Sequence, residues 1–412
     1  MRSNFGTKFL KTAVHGGAVL LLGAGMAAAQ SVNLTAGATS ISLPDGSSVP
    51  MWGYACTGAA SPATCVASNP AAGSGWSPVV ITVPTGQSLT INLTNKLQFG
   101  NNSVPTSLTI VGQLGGGLGT SATHTPSPTH EQQGSATWAT VAPVPSGQAF
   151  TPPAQGPRVQ SFGTEVAGGA TTPLTWSSLR PGTYLIESGT HPSIQGPMGL
   201  YGVLVVTAAP AATSGTETAP GTAYPNVTYD AEVPLVLSEI DPVQNNAVSA
   251  AVNTSGFSET AVWSGLPGGC GNPASIGVYQ TCYPPVVNYT PLYYLINGVA
   301  FNRASASASL FITSPASTIA PATGTLLVRF VNAGLHMHVP SIVGTQTGVP
   351  QPPPSTATTT TGGFSLVAED GNPLPGLPRV QSEVFMSAGK TYDVMSMCLR
   401  PERRLLPSTI AN

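Results

Sequence analysis

Charged side chains are scarce in this sequence, at 7% of its 412 residues. Long helices are rich in Glu, Lys, Ala and Leu and poor in Gly and Pro. The low content of charged residues therefore argues against a helical protein. The basic residues form no stripe and are not interleaved with aromatic residues, which make up 7% of the chain. We therefore expect no nucleic-acid partner.

Glycine and proline are plentiful instead, with 47 and 40 residues. Together with many Thr, Ser and Val, they favour short strands joined by turns. The hydrophobic share of 41% is enough for packed cores, which argues against a disordered chain. A length of 412 residues exceeds what one core usually organises, so we expect two or three domains.

Long apolar runs are also missing, except at the N-terminus, where residues 1–29 have the pattern of a secretory signal peptide. Basic residues lie near its start, an apolar stretch covers Gly16–Met26, and Ala27–Ala29 form a small-residue cleavage site. A membrane anchor is the alternative, but the run is short for a span. We expect removal of the signal, no integral membrane span afterwards, and export to the periplasm, the outer surface or the extracellular space.

Cysteine is rare, with five residues. Cys56 lies close to Cys65 and Cys270 close to Cys282, so we expect each pair to close a local disulfide in an oxidising compartment. A zinc site is the alternative for paired cysteines, but neither spacing is CxxC-like and no histidine lies nearby. Cys398 has no obvious partner in the sequence.

The chain divides into two β-rich blocks, residues 30–207 and residues 226–395, joined by a linker over 208–225 that is rich in Ala, Thr, Pro and Gly. Within the second block, the Pro- and Thr-rich residues 351–363 are expected to form a loop. Apolar runs predict the following strands: Val79–Val83, Ser88–Leu93, Thr183–Ile186, Tyr201–Val206, Ala231–Ser238, Tyr293–Ile296 and Leu326–Val331.

Residues 396–412 have a different character. They show no strand pattern, and three of the ten basic residues that follow the signal lie there. We interpret this stretch as an irregular tail that is truncated or frameshifted. Sequencing the gene beyond this point tests the interpretation.

A five-residue motif occurs twice. Pro157–Ser161 reads PRVQS, and so does Pro378–Ser382. Each copy is followed by a turn and a strand that contains a tyrosine, Tyr184 in the first block and Tyr392 in the second. Because chance recurrence of five residues is rare, we interpret the two blocks as related domains.

An ordered series of motifs resembles the first two domains of multicopper oxidases. Residues 180–202 (RPGTYLIESGTHPSIQGPMGLYG) are similar to the end of the family's first domain. LING at 295–298, LLVRFVNA at 326–333 and AGKTYDV at 388–394 are similar to its second-domain motifs. Each motif alone is weak, but the series follows the family's order and covers most of residues 76–394.

The resemblance implies an all-β fold of tandem cupredoxin-like Greek-key β-sandwiches. It also implies an exported copper protein with oxidoreductase activity, in which one copper takes electrons from a substrate and a three-copper cluster reduces dioxygen to water. As substrate we expect a small molecule or a metal ion, manganese or iron. Copper binds imidazole and thiolate, and His-x-His pairs place two ligands on one side of a strand.

Most of the copper ligands that the resemblance implies are missing. Where the family has its first His-x-His pair, this chain has Thr109 and Val111, within TSLTIVGQ at 106–113. In the second pair, Gly189 takes the first position and His191 the second. The third-domain motif HCH does not occur in the sequence. We therefore expect no complete oxidase cycle from this polypeptide alone.

Four other histidines remain candidate copper ligands. His124 and His130 are either solvated loop residues or partners that rebuild a copper site with His191. His336 and His338 form a His-x-His pair after a second-domain strand. They are either one buried and one exposed structural histidine or a weaker, peripheral copper site.

Three functions therefore stay open. The first is an exported multicopper oxidase-like protein that binds copper and is incomplete as this chain, which leaves its status as an enzyme undecided. The second is a non-catalytic, cupredoxin-like binding or structural module of the cell envelope. The third is a copper store or carrier that uses His124, His130 and His191. The oligomeric state does not follow from the sequence.

Overall fold

The computed structural model describes residues 30–119, 161–213, 216–257, 289–304, 324–350, 358–376 and 378–397. These residues are mostly in strands, and the predicted fold class, all-β with cupredoxin-like β-sandwiches, is confirmed. Each of the seven predicted strands overlaps an observed one. In this part of the chain, the helices are too short or too polar to cross a bilayer.

The first half folds into a sandwich of two sheets. One sheet has the order β2-β1-β5-β9, the other has the order β3-β4-β11-β10-β8, and β6 pairs with β7. The elements, in chain order, are β1 (Gln30–Ser42), β2 (Ser48–Ala59), β3 (Thr64–Ala67), a 3-10 turn (Pro70–Ala72), β4 (Val79–Val83), β5 (Leu89–Lys96), β6 (Gln98–Phe99), β7 (Asn102–Ser103), β8 (Thr109–Ile110), β9 (Thr171–Trp176), β10 (Gly182–Glu187), α1 (Pro192–Gln195) and β11 (Tyr201–Val206).

Side-chain alternation explains which faces are buried. In β5, Leu89, Ile91 and Leu93 point into the core between the sheets, and the residues between them are polar. This period of two is typical of a strand with one covered face. By contrast, every residue of β11 is buried. The sheet that contains β11 is therefore covered on both faces.

The second half adds one large sheet in the order β18-β17-β16-β19-β25-β22-β23, with β24 beside β22. Its elements are β12 (Ala211–Thr213), β13 (Thr216–Ala219), β14 (Gly221–Tyr224), β15 (Val227–Tyr229), β16 (Ala231–Ile240), α2 (Pro242–Val252), β17 (Tyr293–Ile296), β18 (Val299–Ala300), β19 (Thr325–Asn332), β20 (Gln346–Pro350), β21 (Thr358–Gly362), β22 (Phe364–Glu369), β23 (Asn372–Pro373), β24 (Arg379–Gln381) and β25 (Thr391–Met397).

Two regions carry more structure than expected. Short strands β12, β13 and β14 lie within the predicted linker 208–225. The expectation of a loop over 351–363 is wrong for its C-terminal part, because β21 pairs with β20 as an antiparallel hairpin. Four consecutive threonines lie in β21, and β-branched residues favour a strand when a neighbour offers a hydrogen-bond ladder.

The two halves repeat one pairing pattern. In the first sheet, β1 pairs antiparallel with β2 and parallel with β5, and β5 pairs antiparallel with β9. In the second half, β16 pairs antiparallel with β17 and parallel with β19, and β19 pairs antiparallel with β25. The repeated PRVQS motif is thus accompanied by a repeated topology.

An apolar layer joins the two halves. Leu185, Tyr201 and Val203 from the first half pack in one cluster with Val236 and Ile240 from β16. Helix α2 begins at the residue after Asp241, whose side chain accepts hydrogen bonds from the backbone N–H of Val243 and Gln244. From that helix, Asn245 Nδ2 donates to the carbonyl of Pro50 at 3.0 Å.

A buried ionic cluster lies in the same interface, formed by Arg329, Glu232, Asp393, Thr183 and Tyr224. The Arg329 guanidinium contacts Glu232 at 2.7 Å and Asp393 at 3.2 Å, and its side chain is fully buried. Asp393 also accepts hydrogen bonds from Thr183 Oγ1 at 2.6 Å and Tyr224 Oη at 2.5 Å. Because Thr183 belongs to β10, the cluster ties the two halves together.

Candidate metal site

The four positions that match the family's first-domain ligands (Thr109, Val111, Gly189 and His191, the matched positions) lie on or next to two paired strands, β8 and β10. Thr109 is opposite Glu187 in the β8–β10 ladder, and the N–H of Val111 donates to Leu185 O at 2.9 Å. Gly189 and His191 follow directly after β10. The fold therefore brings β8 and the end of β10 together as a pair of ligand-bearing strands would require.

His191 is the one imidazole among the matched positions. It is 8% exposed and precedes α1 with φ 40° and ψ 59°, a left-handed conformation that is uncommon for a residue other than glycine. Burial lowers the pKa of His191 to about 4. The ring is thus neutral at neutral pH, and the neutral form is the one that binds a metal.

Hydroxyl groups surround the other matched positions. Thr190 Oγ1 lies 3.0 Å from both Ser107 Oγ and Ser161 Oγ, and the two serine oxygens are 3.4 Å apart. We call these three residues the hydroxyl cluster. Beside it, Gln195 Oε1 accepts hydrogen bonds from Thr106 Oγ1 at 2.8 Å and Ser188 Oγ at 2.7 Å.

Gly189 has no space for a side chain. A Cβ atom there would lie 2.7 Å from Thr109 Oγ1, 3.0 Å from the backbone nitrogen of Gly163 and 3.2 Å from the carbonyl carbon of Phe162. Two of these neighbours are backbone atoms and cannot rotate away. A ligand such as histidine is therefore excluded from this position while residues 161–163 lie where they do.

The described residues do not fit the copper cluster that the resemblance implies. They contain no group of three or more His, Cys, Asp or Glu side chains placed to hold a metal ion. Serine and threonine hydroxyls are not the imidazole or thiolate ligands that copper prefers. His124, His130, Cys270, Cys282 and Cys398 lie outside the described residues. So does the predicted signal peptide, residues 1–29.

Cys56 and Cys65 form a disulfide with a Cα–Cα distance of 5.7 Å. The bond lies between β2 and β3 at the edge of the first sandwich. It is far from the matched positions in the order of strands and takes no part in the candidate site.

The second-domain histidines differ from each other. His338 is 6% exposed, and its Nε2 lies 3.1 Å from Glu239 Oε2, whereas the side chain of His336 is exposed. Glu239 Oε1 also accepts from the backbone N–H of Leu335 and of His336. The buried carboxylate thus organises the loop after β19, and the described residues supply no third His, Cys, Asp or Glu ligand there.

A cavity of about 420 Å³ lies between the two halves beside Val111. Its walls include Tyr184 and Leu185 from β10 and Lys390 from the turn before β25. The ammonium group of Lys390 contacts the carboxylates of Glu369 and Asp370. The cation inside the cavity wall is therefore already neutralised.

The hydroxyl cluster and the contact between Glu239 and His338 were not predicted from the sequence. Ser107 and Thr190 lie 83 residues apart, and Glu239 lies 99 residues before His338. Contacts between residues so far apart leave no short-range pattern in the sequence from which they could be predicted. The one available signal for the hydroxyl cluster was Ser161, the last residue of the repeated PRVQS motif.

No protein-family model and no curated protein matches this chain. Solved structures that it resembles are multicopper oxidases and other copper proteins of low sequence identity. The blue copper oxidase from Nitrosomonas europaea is 17% identical with a TM-score of 0.45; the match covers 90% of this chain and 76% of that one. The multicopper oxidase from Pseudomonas thermotolerans is 13% identical with a TM-score of 0.47, covering 92% of this chain and 60% of that one.

The copper nitrite reductase from Nitrosomonas europaea is 14% identical with a TM-score of 0.42, and the match covers 93% of both chains. At these identities and TM-scores, the likeness concerns the fold. It assigns no activity, substrate or metal to this chain.

Proposed function

We propose that this chain is an exported, multicopper oxidase-like protein that acts as a non-catalytic binding or structural module of the cell envelope. The series of family motifs supports the scaffold, and the predicted N-terminal signal supports export. The observation that carries the non-catalytic assignment is Gly189, a matched ligand position where backbone atoms of residues 161–163 leave no room for a side chain.

The loss of ligands has a chemical consequence. Of the matched positions, Thr109 offers a hydroxyl, Val111 offers a methyl group and Gly189 offers nothing. A fold shared with enzymes does not supply their chemistry, because chemistry depends on the side chains at the site. We therefore give the missing imidazoles more weight than the retained strands.

Metal analysis of the purified full chain, together with dioxygen consumption, tests the proposal. We expect substoichiometric copper after reconstitution and no oxidation of a phenolic dye, Mn²⁺ or Fe²⁺. The variant His191→Ala should behave like the wild type in both measurements. Stoichiometric copper with turnover that disappears in His191→Ala would contradict the proposal.

A copper oxidoreductase that acts on manganese or iron is the second candidate. One observation favours it: His191 is a buried imidazole at a matched position, and its lowered pKa keeps the ring unprotonated. The same experiment separates the two candidates. His336→Ala is the control, because it removes a histidine from an exposed loop outside the matched positions. Cuprous-ion binding without any dye oxidation would favour the third hypothesis, a copper store or carrier.

A further inference from the structure

Residues 161–163 lie across the matched positions. The N–H of Phe162 donates to Gly189 O at 2.8 Å, and Ser161 forms a β-bridge with Thr190. The segment thus adds itself to the end of β10, on the side where ligands at positions 109 and 189 would have to meet.

Two glycines make this approach possible. A Cβ on Gly163 would lie 3.0 Å from Thr109 Oγ1 and 3.3 Å from Ser107 Cβ, and a Cβ on Gly189 would lie 2.7 Å from the same threonine oxygen. Thr109 is therefore enclosed from both sides by residues without side chains. Close backbone approach of this kind is a typical use of glycine.

The hydroxyl cluster connects residues 161–163 to the strands on either side by hydrogen bonds. Ser107 precedes β8, Ser161 belongs to the crossing segment, and Thr190 follows β10, so three stretches far apart in sequence meet at hydrogen-bonding distance. Ser161 Oγ also lies 2.9 Å from Gly163 O and 3.1 Å from the N–H of Gly163. A metal ion with ligands from β8 and the end of β10 would connect two of these three stretches.

We infer that the hydroxyl cluster and residues 161–163 form a metal-free cross-link between the start of β8 and the end of β10, where the resemblance implies copper. The inference rests on the proposed function, because it takes the matched positions as former ligand positions. It goes further because it assigns those positions a structural role. In the first domain, hydrogen bonds hold the strands together where a bound metal would otherwise do so, and the domain is therefore stable without metal.

Two threonine variants of the full chain test the cross-link. Thr190→Val removes the hydroxyl that contacts both serines, and Thr109→Val removes a buried hydroxyl that has no hydrogen-bond partner among the described residues. The two substitutions are chemically identical and lie on neighbouring stretches. We expect Thr190→Val to lower the Tm by roughly 3–8 °C, whereas Thr109→Val leaves it within about 2 °C or raises it. Equal effects of the two variants would overturn the inference.

A scan of the wild type gives a second test that needs no variant. We expect the same Tm in buffer, with EDTA and with excess Cu²⁺, because a ligand that binds the native state would raise it. A Tm that falls with EDTA by the amount that Thr190→Val removes would refute a metal-free cross-link, whereas a rise with Cu²⁺ alone would count against the proposed function.

The two proposals can fail separately. Copper bound at His191 with turnover would contradict the non-catalytic function and would raise the Tm. It would leave the cross-link intact if EDTA did not lower the Tm and Thr190→Val still lowered it more than Thr109→Val. Conversely, a Tm that falls with EDTA in a protein without turnover would overturn the cross-link alone.

Discussion

The hydroxyl cluster of the first domain and the ionic cluster between the domains use buried polar groups in opposite ways. The hydroxyl cluster contains neutral side chains, each of which can lose a partner at moderate cost. The ionic cluster contains a fully buried guanidinium between Glu232 and Asp393. Buried charges need their partners, because an unpaired ion in the interior is strongly destabilising.

This difference coincides with a difference in sequence, because residues of the ionic cluster lie in motifs that resemble the family, whereas three of the four matched positions hold residues that cannot bind copper. Arg329 and Asp393 lie within LLVRFVNA and AGKTYDV, two of the motifs that carry the resemblance. Removing either residue leaves a buried charge behind. In contrast, Thr109 and Gly189 are uncharged, and residues 162 and 163 pack directly against them.

The largest effect is expected from Asp393→Ala. This substitution takes away one of two carboxylates around Arg329 and leaves Thr183 and Tyr224 without their acceptor. Loss of one partner of a buried ion pair costs about 3–5 kcal/mol, which urea denaturation measures as a lower midpoint.

Glu369→Ala is the matched control for that variant. Glu369 pairs with Lys390 near the surface, where an ion pair contributes about 0–1 kcal/mol. Similar losses in the two variants would show that the buried cluster is no more important than a surface pair.

The second effect is a pH dependence that comes from His191. Burial holds its pKa at about 4 in the folded protein, below the ordinary value of 6.5. The unfolded chain therefore binds a proton at a higher pH than the folded one, and stability falls as the pH drops from 6.5 to 4. The loss amounts to at most about 3 kcal/mol.

Urea denaturation of the wild type and His191→Gln at pH 7 and pH 4 measures this loss. We expect the variant to lose less stability over this interval, because glutamine does not titrate. His336→Gln removes an exposed histidine and should keep the wild-type pH dependence. If both variants follow the wild type, His191 does not titrate as its burial requires.

The sequence specified the strands well because their signal is local. Alternation in Ser88–Leu93 and the apolar run of Tyr201–Val206 each predict a strand within three residues of the observed bounds.

The hydrogen bonds around Thr109 and Gly189 could not be predicted from the sequence. Ser161 reaches Ser107 across 54 residues, and the return of its segment over Gly189 depends on tertiary packing that no periodicity encodes. The same is true of the contacts of Glu239. Its role depends on backbone N–H groups of a loop about 96 residues later.

The smallest effect concerns Gly189 itself. Gly189→Ala adds one methyl group 2.7 Å from Thr109 Oγ1 and 3.0 Å from the nitrogen of Gly163, and φ at this position lies outside the left-handed region, so the cost is purely steric. Overpacking of this size costs roughly 1–3 kcal/mol. Gly362→Ala is the control, since a Cβ there meets nothing within 4 Å and its φ is likewise outside that region. A Gly189→Ala protein as stable as the control would mean that residues 161–163 move aside easily. The closed state of the matched positions would then be one of two accessible arrangements, and a ligand at position 189 would no longer be excluded.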